Sequence, residues 1–274
     1  MTDTLFAADR VHRFISPHYD DTALSCGGLV AALTANGVRS VSEVVFGEEP
    51  DPAAPMTDFA AGMHADWGLT AEQVIASRRA EEAGAAAHLG FQRANLPFLD
   101  AIYRQDYYVS DALLFGTPSQ HESALPSQIA QSLGLPAAAS EDVRIYVPLA
   151  VGNHVDHQHA FLTGVALARA GWSVRFYEDL PYALMDGAFD RRMHDIRAEG
   201  ITLEIGEVVD VEPWWDKKID AIFAYPSQLE TIFRHYVGVG TTRAEVSGVL
   251  RIYAETVGNG IPSERYWRLA GAAN

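Results

Sequence analysis

The stretch RFISPHYDD at residues 13–21, followed by GGLVAALTANG at residues 27–37, decides the fold of this chain. The first stretch predicts the end of a buried strand that stops at Pro17, and the second predicts a helix closed by its final Asn-Gly pair. Residues 38–46 are rich in Val and Ser and predict a second strand. A strand, a helix and a strand within about 35 residues form a βαβ unit, which implies parallel pairing and a right-handed crossover.

Strand and helix patterns continue to alternate along the rest of the chain. The clearest helix spans residues 70–89, where Thr70 and Gln73 fit a capping box and Gly90 marks the end. Residues 100–140 have no strong period and predict an insertion with short helices. Further strands are predicted at residues 91–96, 144–149 and 173–177, further helices at 156–170 and 214–224, and either a helix or a strand at 245–256.

This order of elements predicts an α/β fold, with a Rossmann-like three-layer αβα arrangement around a mostly parallel sheet. The chain has 274 residues, of which 48% are hydrophobic and 20% are charged, so it can bury a sizeable core. We therefore expect one domain over residues 1–274, with the insertion around residues 100–140.

The charge balance limits the choice of partners. The chain has 20 Lys and Arg residues against 36 Asp and Glu residues, a formal net charge of −16. Phosphates would be repelled, which argues against nucleic acid or a membrane as a partner and favours a small molecule, while a homo-oligomer is compatible with the sequence. No signal-peptide pattern and no apolar run long enough to span a bilayer is present, so we expect a cytoplasmic protein. Cys26 is the one cysteine, which excludes a Cys-rich zinc cluster.

The first group of chemically active residues is His18, Asp20 and Asp21, between the first strand and the first helix. Ligand sites of open parallel sheets form at such strand ends. Two adjacent carboxylates beside an imidazole are costly to place together, and a bound divalent cation removes that cost. The alternative is a solvated loop whose Asp residues cap the following helix.

The second group is His154, Asp156 and His157, between the strand at 144–149 and the following helix. A spacing of three places His154 and His157 on the same side of one helical turn. The alternative is a pair of surface histidines, with Asp156 as a negative charge that the N-terminus of the helix favours.

The two groups together point to a metal site, because both follow parallel strands and reach the same crevice. Two imidazole nitrogens and one carboxylate, completed by water, are the usual ligands of a catalytic zinc ion, and ferrous iron accepts the same set. Asp20 then remains free to act as a base, and His154 remains free to meet developing negative charge. The three ligands of this set are His18, Asp21 and His157.

These motifs resemble a known family. SPHYDD at residues 16–21, followed by Gly-Gly, and HVDH at residues 154–157 are similar to the LmbE-like or PIG-L deacetylases. These are metal-dependent enzymes that remove acetyl groups mostly from molecules containing N-acetylglucosamine. The resemblance extends through RRAEE at 78–82, LPFLD at 96–100 and YPSQ at 225–228.

The resemblance implies an LmbE-like fold and a role for each motif residue. Asp20 corresponds to the general base, and His154 corresponds to the residue that stabilises the oxyanion. An arginine of the RRAEE helix contacts the substrate, and Arg78 and Arg79 are both candidates. The zinc ligands that the resemblance implies are again His18, Asp21 and His157.

The chain departs from the family pattern at three places. Tyr19 and Val155 stand where the family usually has prolines. Gly152 and Asn153 stand where the sugar-thiol deacetylases have a tyrosine, which disfavours a sugar-thiol substrate. We expect Asn153 or a residue of the insertion to supply the missing contact.

Three further residues are expected near the substrate or the crevice. Asp100 closes the LPFLD element, and Tyr103 begins an aromatic run of the insertion that suits a sugar pocket. Asp179 follows the strand at 173–177 and is expected to face the crevice.

The sequence therefore predicts a metal-dependent hydrolase that removes an acetyl group from an N-acetylated amino sugar or sugar conjugate. One alternative is an amidase acting on a larger acyl or thiol-conjugate amide. Another is a metal-dependent sugar-binding protein without turnover.

Overall fold

The computed structural model describes residues 5–51, 53–67 and 70–271, and these residues are built around one sheet. The order of its seven strands in the described part is β3-β2-β1-β4-β5-β7-β6. The first five strands are parallel, and β7 runs antiparallel to both of its neighbours. The strands are β1 (Val11–Ser16), β2 (Arg39–Val44), β3 (Gln92–Asn95), β4 (Val143–Pro148), β5 (Ser173–Tyr177), β6 (Leu203–Asp210) and β7 (Ser263–Leu269).

Helices cover both faces of this sheet, as the α/β prediction requires. On one face α1 contacts α3 and α8, and elsewhere α6 packs on β4, β5 and α5. The α-helices are α1 (Asp21–Ala35), α2 (Asp58–Trp67), α3 (Ala71–Leu89), α4 (Asp111–Leu114), α5 (Leu125–Ser132), α6 (Val155–Arg169), α7 (Ala188–Ala198), α8 (Trp215–Ile222), α9 (Pro226–Leu229) and α10 (Arg243–Val257). A π-helix spans Glu230–Val237, and short 3-10 helices span Ala101–Tyr103, Gln120–Glu122, Tyr182–Leu184 and Glu212–Trp214.

The predicted βαβ unit is present. Residues of β1 pair in parallel register with residues of β2, and α1 connects the two strands. The capping box of α3 is formed as predicted, since the Thr70 side chain accepts from the Gln73 backbone and the Gln73 side chain accepts from the Thr70 backbone. The undecided segment at 245–256 belongs to a helix, α10, which begins with a second capping box of Thr242 and Glu245.

The segment at residues 100–140, predicted as an insertion, contains short helices, as expected, and it has an apolar contact of its own. Ala101, Ile102 and Leu114 pack with Ala60 and Val155 in a small cluster beside the start of α6. Val155 is fully buried there. Val155, at the first residue of α6, therefore anchors this segment against the helix.

The connections of β1 and β4 create the crevice of this fold. The two strands are hydrogen-bonded neighbours, but the chain leaves β1 toward β2 and leaves β4 toward β5 on the other side. Such a reversal of strand order opens a crevice at the carboxyl ends of the two strands. Both motifs of the sequence lie at these ends, directly after β1 and shortly after β4. Within the described ranges, no helix combines the length and apolar character that crossing a membrane requires.

The end of α3 yields a prediction about stability. Gly90 adopts a left-handed conformation with a φ of 84°, and a Cβ atom there would lie 2.4 Å from Thr34 Cγ2. A residue other than glycine costs about 1–2 kcal/mol in the left-handed conformation. Because of the added clash with Thr34, Gly90→Ala should lower the free energy of unfolding by more than this amount. Urea unfolding measures this loss. Gly200→Ala is the matched control, because Gly200 has a φ of 76° and open space around it; equal losses in the two variants would contradict the steric argument.

Candidate active site

The two sequence motifs meet in the crevice between β1 and β4. The ring centroids of His18 and His154 lie 4.9 Å apart, those of His18 and His157 lie 5.3 Å apart, and those of His154 and His157 lie 5.5 Å apart. Asp20 and Asp21 line the same cleft of about 90 Å³. The structure thus brings together all five residues that the sequence assigns to metal binding and catalysis.

Each of the two histidines proposed as ligands has one nitrogen held by a carboxylate and the other directed toward Asp21. His18 Nε2 lies 3.1 Å from Asp156 Oδ2, and its Nδ1 lies 3.7 Å from Asp21 Oδ2. His157 Nδ1 lies 2.7 Å from Asp179 Oδ1, and its Nε2 lies 3.6 Å from Asp21 Oδ1. Carboxylates that fix the outer nitrogen are typical of histidines that bind metals.

A divalent cation fits this arrangement. His157 Nε2 is buried and has no hydrogen-bond partner among the described residues. His18, Asp21 and His157 each offer a ligand atom within 4.8 Å of the others. Two nitrogens and one oxygen at such spacing match the composition of a catalytic zinc site.

A second donor set, His18, His154 and Asp156, also lies within 4.8 Å but is less suitable. The Asp156 carboxylate already accepts hydrogen bonds from Arg104 and the Ala101 backbone. His154 Nδ1 already accepts from the Asp156 backbone. A cation there would compete with these hydrogen bonds, whereas His157 Nε2 has none to lose.

The charges of the site favour a cation between the strand ends. Burial alone would lower the pKa of His18, but the hydrogen bond to Asp156 and the charges of Asp100 and Asp21 raise its pKa to about 9. Burial, with the neighbouring Asp20, raises the pKa of Asp21 even though His157 and His18 act to lower it. Negative charge therefore collects here, and a divalent cation bound between these groups would compensate it.

Asp20 faces the cleft and is held by one of the two candidate arginines. Arg78 Nη2 donates to Asp20 Oδ1 at 3.0 Å, and Arg78 lines the cleft beside it. Arg79 instead contacts the outer side of the loop, where its Nε donates to the Tyr19 hydroxyl at 3.2 Å and its side chain is 41% exposed. Of the two arginines, the structure places Arg78 where it can contact a substrate.

His154 is arranged as a neutral hydrogen-bond donor. The Asp156 backbone N–H donates to His154 Nδ1 at 3.2 Å, so the proton of the neutral ring is on Nε2. Burial, and then the charge of His18, lowers the pKa of His154 well below its usual value. The residue lines the cleft and can donate to an oxygen bound there.

Tyr19 replaces the stiffening effect of the family proline with hydrogen bonds. Its buried hydroxyl donates to the Gly47 carbonyl at 2.8 Å and accepts from Arg79 Nε and Asn95 Nδ2, both at 3.2 Å. Arg79 Nη2 also donates to the Gly47 carbonyl at 3.4 Å. These contacts hold the loop between His18 and Asp21 against β2 and β3.

The insertion is tied to the site through Asp156, which the sequence suggested only as a helix charge. Asp156 is fully buried, and Arg104 Nη1 donates to its Oδ1 at 2.6 Å. Asp100 lies at the entrance to the insertion, where its Oδ1 accepts from Ile102 N and its Oδ2 lies 3.5 Å from His18 Nε2. Asp100 therefore lines the cleft, as expected, and its charge also acts on His18.

Two residues expected at the substrate lie beside the cleft. The Tyr103 hydroxyl pairs with His64 Nε2 at 2.7 Å, and Tyr103 lines a separate cavity of about 290 Å³. Asn153 lines another cavity of about 480 Å³, and its Nδ2 donates to the carbonyl oxygens of Phe115 and Gly116 at 3.2 and 3.4 Å. Asp179, which the sequence expects to face the crevice, is instead buried behind His157 and holds its Nδ1 at 2.7 Å.

Sequence analysis missed Tyr182, which lies against the site from the loop after β5. Its ring centroid is 6.0 Å from that of His157, and its side chain lies over Gly152. A Cβ atom at position 152 would lie 2.7 Å from Tyr182 Cγ, so the Tyr182 side chain occupies the space that a side chain at position 152 would need. No local pattern around Tyr182 marks it, since the contact depends on how two distant loops meet.

Known proteins resemble this chain over most of its length. Residues 13–168 match the PIG-L family, described as GlcNAc-PI de-N-acetylase. The chain is 34% identical over 191 residues to a 2'-N-acetylparomamine deacetylase of Niallia circulans, which covers 63% of this chain and 68% of that protein. It is 30% identical over 231 residues to a 2'-N-acetylparomamine deacetylase of Streptomyces fradiae, which covers 79% of this chain and 72% of that protein.

Solved structures show the same fold. A deacetylase of the teicoplanin biosynthesis pathway superposes with a TM-score of 0.74 at 23% identity, over 96% of this chain and 99% of that one. The A40926 pseudoaglycone deacetylase superposes with a TM-score of 0.67 at 26% identity, over 98% of this chain and 100% of that one.

The hydrogen bond between His157 and Asp179 yields a prediction about metal affinity. His157→Ala should remove most bound zinc, and Asp179→Asn should weaken zinc binding about 10–100-fold because a neutral amide no longer raises the basicity of the ring as the carboxylate does. Elemental analysis and chelator competition on the purified proteins measure both effects. His194→Ala, at an exposed histidine, is the control. Full zinc occupancy in His157→Ala would remove this residue from the ligand set.

The hydroxyl of Tyr19 yields a second prediction. Tyr19→Phe should lower the free energy of unfolding by about 1–3 kcal/mol, because the buried Gly47 carbonyl loses the shorter of its two hydrogen bonds and two donors lose their acceptor. Tyr107→Phe is the control, since the Tyr107 hydroxyl makes no hydrogen bond within the described ranges. Denaturant unfolding compares the two variants, and equal stability would mean that the Tyr19 hydroxyl does not hold the loop.

Proposed function

The chain belongs to the PIG-L family of de-N-acetylases, and we propose that it is a metal-dependent deacetylase of an N-acetylated amino sugar within a larger conjugate. The observation that carries this proposal is the meeting of three histidines and two aspartates of the two motifs in one crevice. The two relatives named 2'-N-acetylparomamine deacetylase support a substrate in which the amino sugar is linked to a second ring.

We assign the metal to the donor set of His18, Asp21 and His157, with zinc as the expected ion and ferrous iron as the alternative. A metal ion bound there would polarise the acetyl carbonyl and acidify a water molecule. Asp156 and Asp179 keep the two imidazoles in the orientation that this requires.

Asp20 is the proposed general base. Arg78 holds Asp20 Oδ1, which leaves Oδ2 to take the proton of the attacking water. The Arg78 guanidinium keeps the carboxylate in one orientation and lies beside it in the cleft, where it can also contact substrate hydroxyls. The proton can then pass to the departing amine, which leaves as the free amino sugar together with acetate.

His154 is the proposed oxyanion donor. Its Nε2 carries the proton, because Nδ1 accepts from the Asp156 backbone. When the acetyl carbonyl oxygen becomes negative during attack, this N–H can donate to it in a buried site, where such a hydrogen bond is stronger than in water. Its position as the residue before the first turn of α6 fixes the ring.

The size of the cleft supports a short acyl group. The cleft beside the proposed metal ligands has a volume of about 90 Å³, which accommodates an acetamido group. This favours a deacetylase over an amidase for larger acyl groups. The presence of both Asp20 and His154 favours turnover over simple sugar binding.

Asp20→Asn should lower kcat by about 10²–10⁴-fold, which is the usual contribution of a general base, and should keep the metal. Release of the free amine from 2'-N-acetylparomamine measures the rate, and elemental analysis measures the metal. Asp190→Asn, at a carboxylate on α7 outside the cleft, is the matched control. A wild-type rate in Asp20→Asn would refute the role of Asp20 as general base. If the wild type binds the substrate tightly but releases no amine, the chain is a binding protein and not a deacetylase.

A further inference from the structure

Beside the cleft lies a cavity of about 480 Å³, and we propose that it binds the second ring of the substrate, a polar ring that bears hydroxyl and ammonium groups. This proposal rests on the proposed function, because it assigns a place to the part of the conjugate beyond the N-acetylated sugar. It adds a subsite formed by a wall of three aromatic residues, Phe115, Tyr182 and Tyr236.

The aromatic wall is shared by the cleft and the cavity, since all three residues line both. The ring centroids of Phe115 and Tyr236 lie 5.6 Å apart, those of Tyr182 and Tyr236 lie 5.9 Å apart, and those of Phe115 and Tyr182 lie 6.3 Å apart. When the acetamido group of a substrate lies at the proposed metal ligands, the adjoining part of the substrate therefore contacts this wall.

The wall also contacts the residues of the reaction directly. The Phe115 ring centroid lies 5.3 Å from that of His154, and the Tyr182 ring centroid lies 6.0 Å from that of His157. The second cavity therefore begins within one side chain of the metal centre. A ring linked to the N-acetylated sugar can reach it without a long connection.

Three distant segments build the wall, and specific contacts hold it in place. Phe115 follows α4 in the insertion, and Asn153 fixes it by donating to its carbonyl oxygen at 3.2 Å. Tyr182 fits over Gly152, whose φ of 89° and missing side chain leave the space. Tyr236 lies on the π-helix, a rare conformation that occurs often at functional sites. The subsite is therefore formed before the substrate binds, as ligand pockets usually are.

The lining of the cavity fits a polar ring better than a fatty chain. Aromatic rings stack on the apolar faces of saccharide-like rings, and the cavity adds Met185 and Ala188 on its apolar side. Asp111 and Asp195 also line it, and an aliphatic chain would leave these carboxylates without partners. Burial, and then the charge of Asp111, raises the pKa of Tyr236, which places this carboxylate near the wall.

Each of the two arginines of the cavity donates from one nitrogen to a backbone carbonyl. Arg192 Nε donates to the Leu149 carbonyl at 2.7 Å, and its guanidinium lies 4.6 Å from the Phe161 ring centroid. Arg191 Nη1 donates to the Asp186 carbonyl at 3.1 Å. Asp111 lines the cavity and makes no side-chain hydrogen bond within the described ranges, so it can accept from an ammonium group of an amino ring, whereas the charge of Asp195 also acts on Arg192.

The test fills the cavity from its outer side. Met185 is 38% exposed and lines the cavity, so Met185→Trp should fill part of it without disturbing the core. The zinc-loaded enzyme is assayed with 2'-N-acetylparomamine as the two-ring substrate and N-acetylglucosamine as the one-ring substrate. We expect the ratio of kcat/KM for two rings to kcat/KM for one ring to fall at least tenfold, mainly through KM.

The matched control makes the same substitution beside the other cavity. Met56 is 45% exposed and lines the cavity of about 290 Å³ next to Tyr103, so Met56→Trp should keep the wild-type ratio. An unchanged ratio in Met185→Trp, or an equal fall in Met56→Trp, overturns the proposal. If Met185→Trp does not fold, Tyr236→Ala replaces it, since loss of one ring of the wall should lower the same ratio.

Two further measurements separate this proposal from the proposed function. Calorimetric binding of paromamine to the zinc-loaded protein should weaken at least tenfold in Met185→Trp and stay unchanged in Met56→Trp, even if no substrate is hydrolysed. If the wild type hydrolyses neither substrate, only the proposed function is refuted, because the binding of paromamine still tests the subsite. N-decanoylglucosamine tests a fatty chain: a selective loss of its hydrolysis in Met185→Trp, with an unchanged two-ring ratio, assigns the cavity to acyl chains and overturns the proposal.

Discussion

The buried carboxylate of Asp156 is the interaction on which the site depends. Its Oδ1 accepts from Arg104, and its Oδ2 accepts from the Ala101 backbone and pairs with His18 at 3.1 Å. A buried charge is tolerated only when it is paired and hydrogen-bonded, and removing a partner from a buried ion pair costs about 3–5 kcal/mol. The same carboxylate therefore fixes the start of α6, the insertion and the end of β1 relative to one another. Arg104 carries this constraint further, because it also pairs with Glu122.

Much negative charge collects at the strand ends around this carboxylate. Asp20, Asp21, Asp100, Asp156 and Asp179 all lie within one or two side chains of the histidines. Their contacts differ. Asp20 is held by Arg78 and faces the cleft, and Asp21 lies between two imidazoles. Asp156 and Asp179 fix imidazole nitrogens, and Asp100 lies 3.5 Å from His18 Nε2. Such an arrangement is unfavourable without a compensating cation, and the raised pKa of His18 has the same physical cause.

The departures from the family pattern are compensated by contacts elsewhere. The hydroxyl of Tyr19 fixes its loop through Gly47, Arg79 and Asn95, which a proline could not do. Val155 packs in the apolar cluster of the insertion. The small residue at 152 makes room for Tyr182, so an aromatic side chain still lies beside the second motif, although it comes from another loop. The charged residues of the two motifs can stay the same while the surrounding surface changes.

The sequence by itself determined the α/β class, the βαβ unit, the capped helices and the strand-end location of both motifs. Each of these follows from residues close together in the chain, whose periodicity and caps report local structure directly. The tertiary structure alone decided that Arg78 faces the cleft while Arg79 faces outward. Neighbouring helix residues point about 100° apart, and only the packing of α3 selects between them.

The same reason explains what sequence reasoning did not find. The antiparallel strand β7, the partners of Asp156 and the aromatic wall join segments that are far apart in the chain. Tyr103 belongs to an aromatic run that suited a sugar pocket, but its hydroxyl pairs with His64 beside a different cavity. Local patterns identify which residues have the chemistry to act. Only the folded chain determines which of them share one site, because that depends on contacts between distant segments.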